Sequence, residues 1–314
     1  MGTDDGRTTL REMLFSEFSS MSWANSVLKQ IVGIVEVLDD NKMGQVGVGI
    51  LGVFLLVGLF GPFLAPYDPT AINRASDGSA LRLLEPSMAH PLGTTNLGRD
   101  VLSQVMAGAR VSLLIGFLAA FMSVLIGLNV GLISGYSGGW VDDLLMRLTD
   151  IAYGLPFLPF VLVLVFLAGP GLWSIALVIS LLLWRSTARV IRSQVLSHKQ
   201  RPYVESARSI GASDFRIMYY HILPNVLPLA FLYGSFSVAW AVIAEASISF
   251  LGFGDPAMTS WGQMLFNAYS AGAIRFAWWW VVPPGLCIML MVMSVFFVGR
   301  ALENITNPEL RHTE

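Results

Sequence analysis

Five stretches of this chain run without a single Asp, Glu, Lys or Arg. They hold 25 residues between Lys42 and Asp68, 31 between Arg110 and Asp142, 34 between Asp150 and Arg185, 28 between Arg216 and Glu245, and 24 between Arg275 and Arg300. A helix needs about 20 apolar residues to cross the hydrocarbon core of a bilayer, so each stretch is long enough to span. Composition agrees. Of 314 residues, 54% are hydrophobic and 13% charged, with a mean hydropathy of +0.64. A soluble domain carries roughly 25% charged residues. Too few charges exist to coat a water-soluble surface, and that class is excluded.

The 34-residue stretch would be about 51 Å long as one helix, against a core of about 30 Å. Ala168-Gly169-Pro170-Gly171 lies in its middle and is a strong breaker. The stretch therefore reads as a hairpin, and the chain as six spans over about 45–64, 111–134, 151–167, 172–190, 226–246 and 277–298. The fourth is expected to run on past Arg185, Arg189 and Arg192, with their side chains snorkelling to headgroups. All six should be helical, since backbone polar groups in lipid must be satisfied within the segment. No strand alternation suggests a β-barrel. The fold class is an all-α polytopic membrane protein.

Placing both termini in the cytoplasm puts fourteen Lys and Arg inside and five outside, as the positive-inside rule favours. Residues 1–44 contain no apolar core with a cleavage site, and read as a weakly amphipathic helix on the inner surface. The loop from Ala65 to Arg110 then faces outward, and the most basic segment, Arg192 to Pro224, faces inward. That segment is larger than a connector needs. Its polar and apolar residues alternate at helical spacing from Tyr203 to Tyr220, interrupted by Gly211. The pattern predicts two short helices joined by a turn and a docking role for another protein.

Other features exclude functions. The net charge of −2 leaves no basic surface for nucleic acid. Cys287 is the single cysteine, and the four histidines lack zinc-site spacing. No Gly-x-x-x-x-Gly-Lys-[Ser/Thr] phosphate cradle occurs, so the chain cannot use ATP by itself. Gly47-Val48-Gly49-Ile50-Leu51-Gly52 fits a dinucleotide fingerprint only on paper, because it lies inside a span. Gly127, Gly131, Gly135 and Gly139 recur every fourth residue, the first two predicting close helix packing, with pore lining as the alternative. Trp278, Trp279 and Trp280 read as an aromatic belt. Glu245 is an acid near the end of an otherwise uncharged span, and either bonds locally near the interface or lines a substrate route. An ion-driven transporter would place ionisable groups at mid-membrane, a channel needs a filter, and a membrane enzyme needs a nucleophile–base pair or metal cluster. None of these stands out.

The inward segment reads Tyr203-Val204-Glu205-Ser206-Ala207-Arg208-Ser209-Ile210-Gly211, then His221-Ile222-Leu223-Pro224. It resembles the EAA loop of ABC importer permeases, with Glu205, Ala207, Gly211, Leu223 and Pro224 matching in type and spacing, and Ser206 and His221 departing. Three more stretches look like the C-type subunit of dipeptide and oligopeptide permeases. They are His90 to Ser103, in which Thr95 stands where Asp is common, Glu245 to Gly254 with Ser260-Trp261-Gly262, and Gly299 to Pro308.

The resemblance implies a type I transmembrane domain over 111–303, with a coupling loop at about 192–224, preceded by a first helix and outer loop over 45–110 and followed by a tail over 304–314. It also implies a non-catalytic permease for peptides, with nickel or glutathione uptake as a variant within the family. Expected partners are a second permease subunit, two ATP-binding subunits holding the ATP and Mg, and an extracytoplasmic binding protein. No cofactor is expected in this chain. The expected ATPase-coupling residues are Glu205, Ala207, Gly211, Ala212, Ser213, Asp214 and Arg216, with a short helix over Ala212 to Arg216 entering a groove of the ATPase.

Overall fold

In the computed structural model, which describes residues 41–306, the long charge-free stretches are built from helix. The amphipathic helix expected over 1–44 lies, up to residue 40, outside the described residues. Asn41 begins α1 (Lys42–Leu64) by accepting from the amides of Met43 and Gly44 at 2.9 and 3.1 Å, which satisfies two of the donors a helix start leaves open. There follow α2 (Val101–Ser137), α3 (Gly139–Gly154), α4 (Phe157–Ala168), α5 (Leu172–Lys199) and α6 (Pro202–Ser209). One turn, Asp214–Arg216, runs through a π-helical segment (Ile217–Ile222) into α7 (Leu223–Ile248). Then come α8 (Trp261–Ser270) and α9 (Trp278–Thr306). Among the described residues there is no strand, only the isolated bridges Arg74–Ala80 and Thr94–Asp100.

Among the described residues, five helical segments are long and apolar enough to cross a membrane, and the bent pair α3–α4 makes a sixth span if counted as one. The expected third span, 151–167, is corrected here. Ile151 to Gly154 belong to α3, Pro156 starts α4, and the two helices meet at 95°. Proline cannot continue the preceding hydrogen-bond ladder, so the break falls where it stands. The second span is also longer than expected. The α2 helix starts at Val101 rather than near 111, because Asp100 caps it within folded protein rather than at a lipid surface.

Packing follows the glycines. A Cβ at Gly127, Gly131 or Gly135 would lie 2.6, 2.5 or 2.9 Å from the carbonyl oxygens of Trp184, Ala188 and Arg192. Only glycine permits that approach of α2 to α5. The expectation of close packing therefore extends to Gly135, whereas Gly139 faces open space.

Two poles result. At one, α5, α6 and the start of α7 enclose a core of Leu132, Ile191, Val195, Val204, Ala207, Ile217 and Ile222. At the other, residues 65–100 fold into a cap without regular structure. Its centre is Asp100, fully buried, whose carboxylate accepts from His90 Nδ1 (2.8 Å), the Ser103 amide (2.8 Å) and the Ser103 hydroxyl (2.7 Å). Trp279 and Trp280 are 4% and 2% exposed and belong to this pole's core, while Trp278 is 59% exposed. The aromatic belt is thereby reduced to Trp278. The indole N–H of Trp279 donates to the Thr94 carbonyl at 3.3 Å, binding α9 to the cap.

Candidate coupling site

The basic residues at the end of α5 are held by α3. Arg192 donates twice to Asp142, from Nε and Nη2, both at 2.6 Å. Arg189 meets Asp150 at 2.6 Å, and Arg185 donates to the Ala152 carbonyl at 2.7 Å. The Ser134 hydroxyl of α2 also donates to Asp142. The expected snorkelling of these arginines is corrected. Helix α3 brings carboxylates and a carbonyl alongside, and a bidentate carboxylate satisfies a guanidinium better than a distant headgroup. Lys199 closes the row by donating to the Tyr136 carbonyl at 2.5 Å.

Beyond Lys199 the chain turns into α6, with Pro202 in its first turn, where its missing N–H costs nothing. Val204 and Ala207 point into the core beneath, while Glu205 is exposed in the first turn, where an acid complements the helix dipole. The helix ends in a Schellman motif. Gly211 has φ +82°, the Ala212 amide donates to the Ala207 carbonyl at 3.1 Å, and the Gly211 amide donates to Arg208 at 3.0 Å. A left-handed residue is required there, which is why glycine stands at this position.

Ser213 caps the next turn, receiving the Arg216 amide at 3.4 Å. The expected short helix over Ala212 to Arg216 is corrected in extent. Helical structure begins at Asp214 and continues unbroken through the π segment into α7. Pro224 has no N–H and its ring crowds the preceding turn; the wider π turns just upstream make room for it. The knuckle formed by α6, Gly211 and Asp214–Arg216 is thus the projecting start of a membrane-spanning helix.

Two long-range bonds hold it to α2. The Tyr136 hydroxyl donates to Asp214 at 2.6 Å, and the Tyr219 hydroxyl donates to Asn129 at 2.7 Å. The Tyr136 hydroxyl also faces Arg208 and holds its guanidinium above its usual pKa. The structure therefore puts Ala207 and the half-buried Ala212 on the supporting side of the knuckle and leaves Glu205, Gly211, Ser213, Asp214 and Arg216 exposed, with Asp214 still tied to α2 through Tyr136. Sequence reasoning missed the residues that crown it. Ile210 is 86% exposed and Phe215 63% exposed, on either side of the Gly211 turn. Bulky apolar side chains at so polar a turn were the available signal.

Glu245 lies at the opposite pole, 1% exposed. It accepts from the Ser249 hydroxyl at 2.8 Å and the Ser112 hydroxyl at 3.3 Å, and the Ser260 hydroxyl also reaches it. The Ser112 oxygen in turn accepts the Trp261 amide at 3.3 Å. The acid thus ties α2, α7 and the start of α8 together. Ser247 instead donates to the Ile243 carbonyl.

Comparison with known proteins follows the same lines. Residues 127–312 match the model of the binding-protein-dependent transport system inner membrane component. Residues 37–86 match the N-terminal TM domain of oligopeptide transport permease C. The dipeptide transport system permease protein DppC of Bacillus subtilis is 35% identical over 275 residues, covering 87% of this chain and 84% of the relative. The oligopeptide transport system permease protein OppC of the same organism is 34% identical, covering 87% of each. The di/tripeptide permease DppC of Pseudomonas aeruginosa is 36% identical, covering 87% of this chain and 90% of the relative. Among solved structures, the inward-facing MetNI methionine ABC transporter has a chain that aligns with TM-score 0.51 and 17% identity, over 65% of this chain and 97% of its own; that likeness concerns the fold alone. The chain is a multi-pass protein of the cell membrane, and it belongs to the binding-protein-dependent inner membrane components of ABC transporters, as a permease subunit of the dipeptide and oligopeptide class.

Proposed function

We propose that this chain is the non-catalytic permease half of an ATP-driven importer that moves short peptides inward by alternating access. The observation that carries this reading is the knuckle, which offers Ile210 and Phe215 to a partner while its base is fastened to α2 and continuous with α7. Exposed apolar side chains on a rigid mount are anchors for another protein's groove. A push on them moves α7 directly, and α2 through Tyr136 and Asn129. A bundle with two packings is then biased by whichever state the partner favours.

In this reading the knuckle pole is cytoplasmic, with both termini, and the cap pole faces outward. Two ATP-binding subunits hold ATP and Mg and grip the knuckle of each permease. A second permease subunit completes the pathway, and an extracytoplasmic binding protein delivers the peptide above the cap. Glu205, Gly211, Ser213 and Arg216 form the polar surround of the apolar tip, while Ala207, Ala212 and Asp214 set its shape. Glu245 holds the outer ends of α2, α7 and α8 in register near the route.

The test is co-purification. The double variant Ile210→Asp, Phe215→Asp should insert normally and lose the ATP-binding subunits from the detergent-extracted complex. Retention of those subunits at wild-type yield would contradict the proposal.

A further inference from the structure

A cavity of about 340 Å³ opens at the cap pole between the 95–104 segment, the Pro256 loop, α8 and the first turn of α9. Ligand pockets for small molecules begin at about this size. Its walls are polar: Thr95, Asn96, Gln104, Gln263, Asn267 and Ser270 contribute amides and hydroxyls. Arg99 is the single ionisable residue among those lining it.

Two N–H donors on its walls are unspent. Arg99 Nε and Trp280 Nε1 are both buried and have no hydrogen-bond partner among the described residues. Trp280 as a whole is 2% exposed. Buried donors are almost always satisfied, so two in one polar cavity call for an acceptor. No acid on the walls supplies it. Thr95 presents a neutral hydroxyl, occupied in receiving the amides of Leu97 and Arg99 at 3.3 and 3.1 Å. Asp68 senses the Arg99 charge, but it is not among the residues lining the cavity, it makes no bond to Arg99, and its Oδ1 accepts from the Thr70 amide and hydroxyl at 2.7 and 2.6 Å. Gln263 donates its amide to Asn267 at 3.2 Å, and its own carbonyl oxygen Oε1 is buried without a partner and bonds neither donor, which leaves it free to accept a ligand N–H.

A group that accepts from a guanidinium and an indole N–H together, and brings the missing negative charge, is a carboxylate. We propose that this cavity binds the free C-terminal carboxylate of a short peptide through Arg99 and Trp280. The cavity volume suits two small residues behind that carboxylate, and the surrounding Asn and Gln side chains can bond the peptide amide. The proposal rests on the peptide-import reading above, and on its assignment of the cap pole to the outside. It adds an early station on the permease itself.

The experiment is saturation-transfer NMR on the full-length chain in lipid nanodiscs, with dialanine, dialanine amide and acetate as probes. Dialanine should bind, and the amide should bind at least ten-fold more weakly. Arg99→Gln should weaken dialanine ten-fold or more. Thr95→Asp should do the same, by placing a competing carboxylate across from Arg99. Trp280→Phe should weaken it a few-fold. Arg99 makes no side-chain bond that the fold needs, and size-exclusion profiles of Arg99→Gln and Thr95→Asp should match wild type. Equal binding of dialanine and its amide, or dialanine binding unchanged in Arg99→Gln, overturns the proposal. So does Arg99-dependent binding of acetate without dialanine, which would assign the cavity to another carboxylate. Uptake of dialanine by the assembled transporter separates the two readings. Uptake without Arg99-dependent binding removes this inference and keeps peptide import. Absence of peptide uptake by an ATP-hydrolysing assembly removes peptide import itself.

Discussion

The two poles of this bundle are organised in opposite ways. The cap pole turns its polar groups inward: Asp100 gathers His90 and Ser103, and Glu245 gathers three serines, all in buried surroundings. The knuckle pole turns apolar groups outward, with Ile210 and Phe215 beyond a frame of tyrosine hydroxyls and ion pairs. A buried polar network fixes one arrangement because every member must be satisfied. An exposed apolar tip costs little while unoccupied and is useful only when covered. The contrast teaches a division of labour in the proposed reading, in which one end of the bundle holds its own shape and the other is there to be held.

Substitutions at the two poles should therefore fail differently. Asp100→Ala strips the cap of its central acceptor and leaves buried donors on His90 and Ser103 without a partner. It should cost about 3 kcal/mol of stability, read as a marked drop in the thermal midpoint of the detergent-solubilised protein. A midpoint equal to wild type would erase the contrast. Gly211→Pro acts at the other pole. Proline fixes φ near −65°, whereas Gly211 sits at +82°, so the Schellman turn cannot form. Peptide uptake should be abolished while the subunit still reaches the membrane in normal amount. Normal uptake would show that the knuckle's shape does not matter.

Tyr136→Phe removes one hydroxyl-to-carboxylate bond between α2 and the knuckle. A bond to a charged group contributes about 2 kcal/mol, so uptake should fall several-fold with little change in ATPase association. Loss of association instead would place Tyr136 in docking rather than in transmission. Glu205→Ala should have the smallest effect. An exposed acid at a helix start contributes about 0.5 kcal/mol locally, and its loss should weaken ATPase association modestly in co-purification. Wild-type yield would remove Glu205 from the docking surface.

The spans were legible because lipid forbids charge, and five charge-free stretches leave few alternatives. The turn at Gly211 was legible because a glycine interrupting a helical pattern marks a break, whereas the expected coupling role came from the resemblance carried by Glu205, Ala207, Gly211, Leu223 and Pro224. What sequence reading missed depends on contacts distant in the chain. Tyr136 and Asp214 are 78 residues apart, and Arg192 and Asp142 are 50 apart. Nothing in either segment announces the other, so the arginines read as free to snorkel. The third span was misdrawn because absence of charge was weighed above Pro156, which breaks it. Trp279 and Trp280 passed for a belt because burial under a cap without regular structure leaves no periodic signal.

The central claim is that the knuckle carries motion from an engine on other chains. Its most direct test is peptide accumulation in proteoliposomes holding the complete assembly, with wild type compared with Phe215→Asp, and each with and without ATP. The account expects uphill accumulation only for wild type with ATP. Accumulation without ATP, or at the wild-type rate in Phe215→Asp, would contradict it.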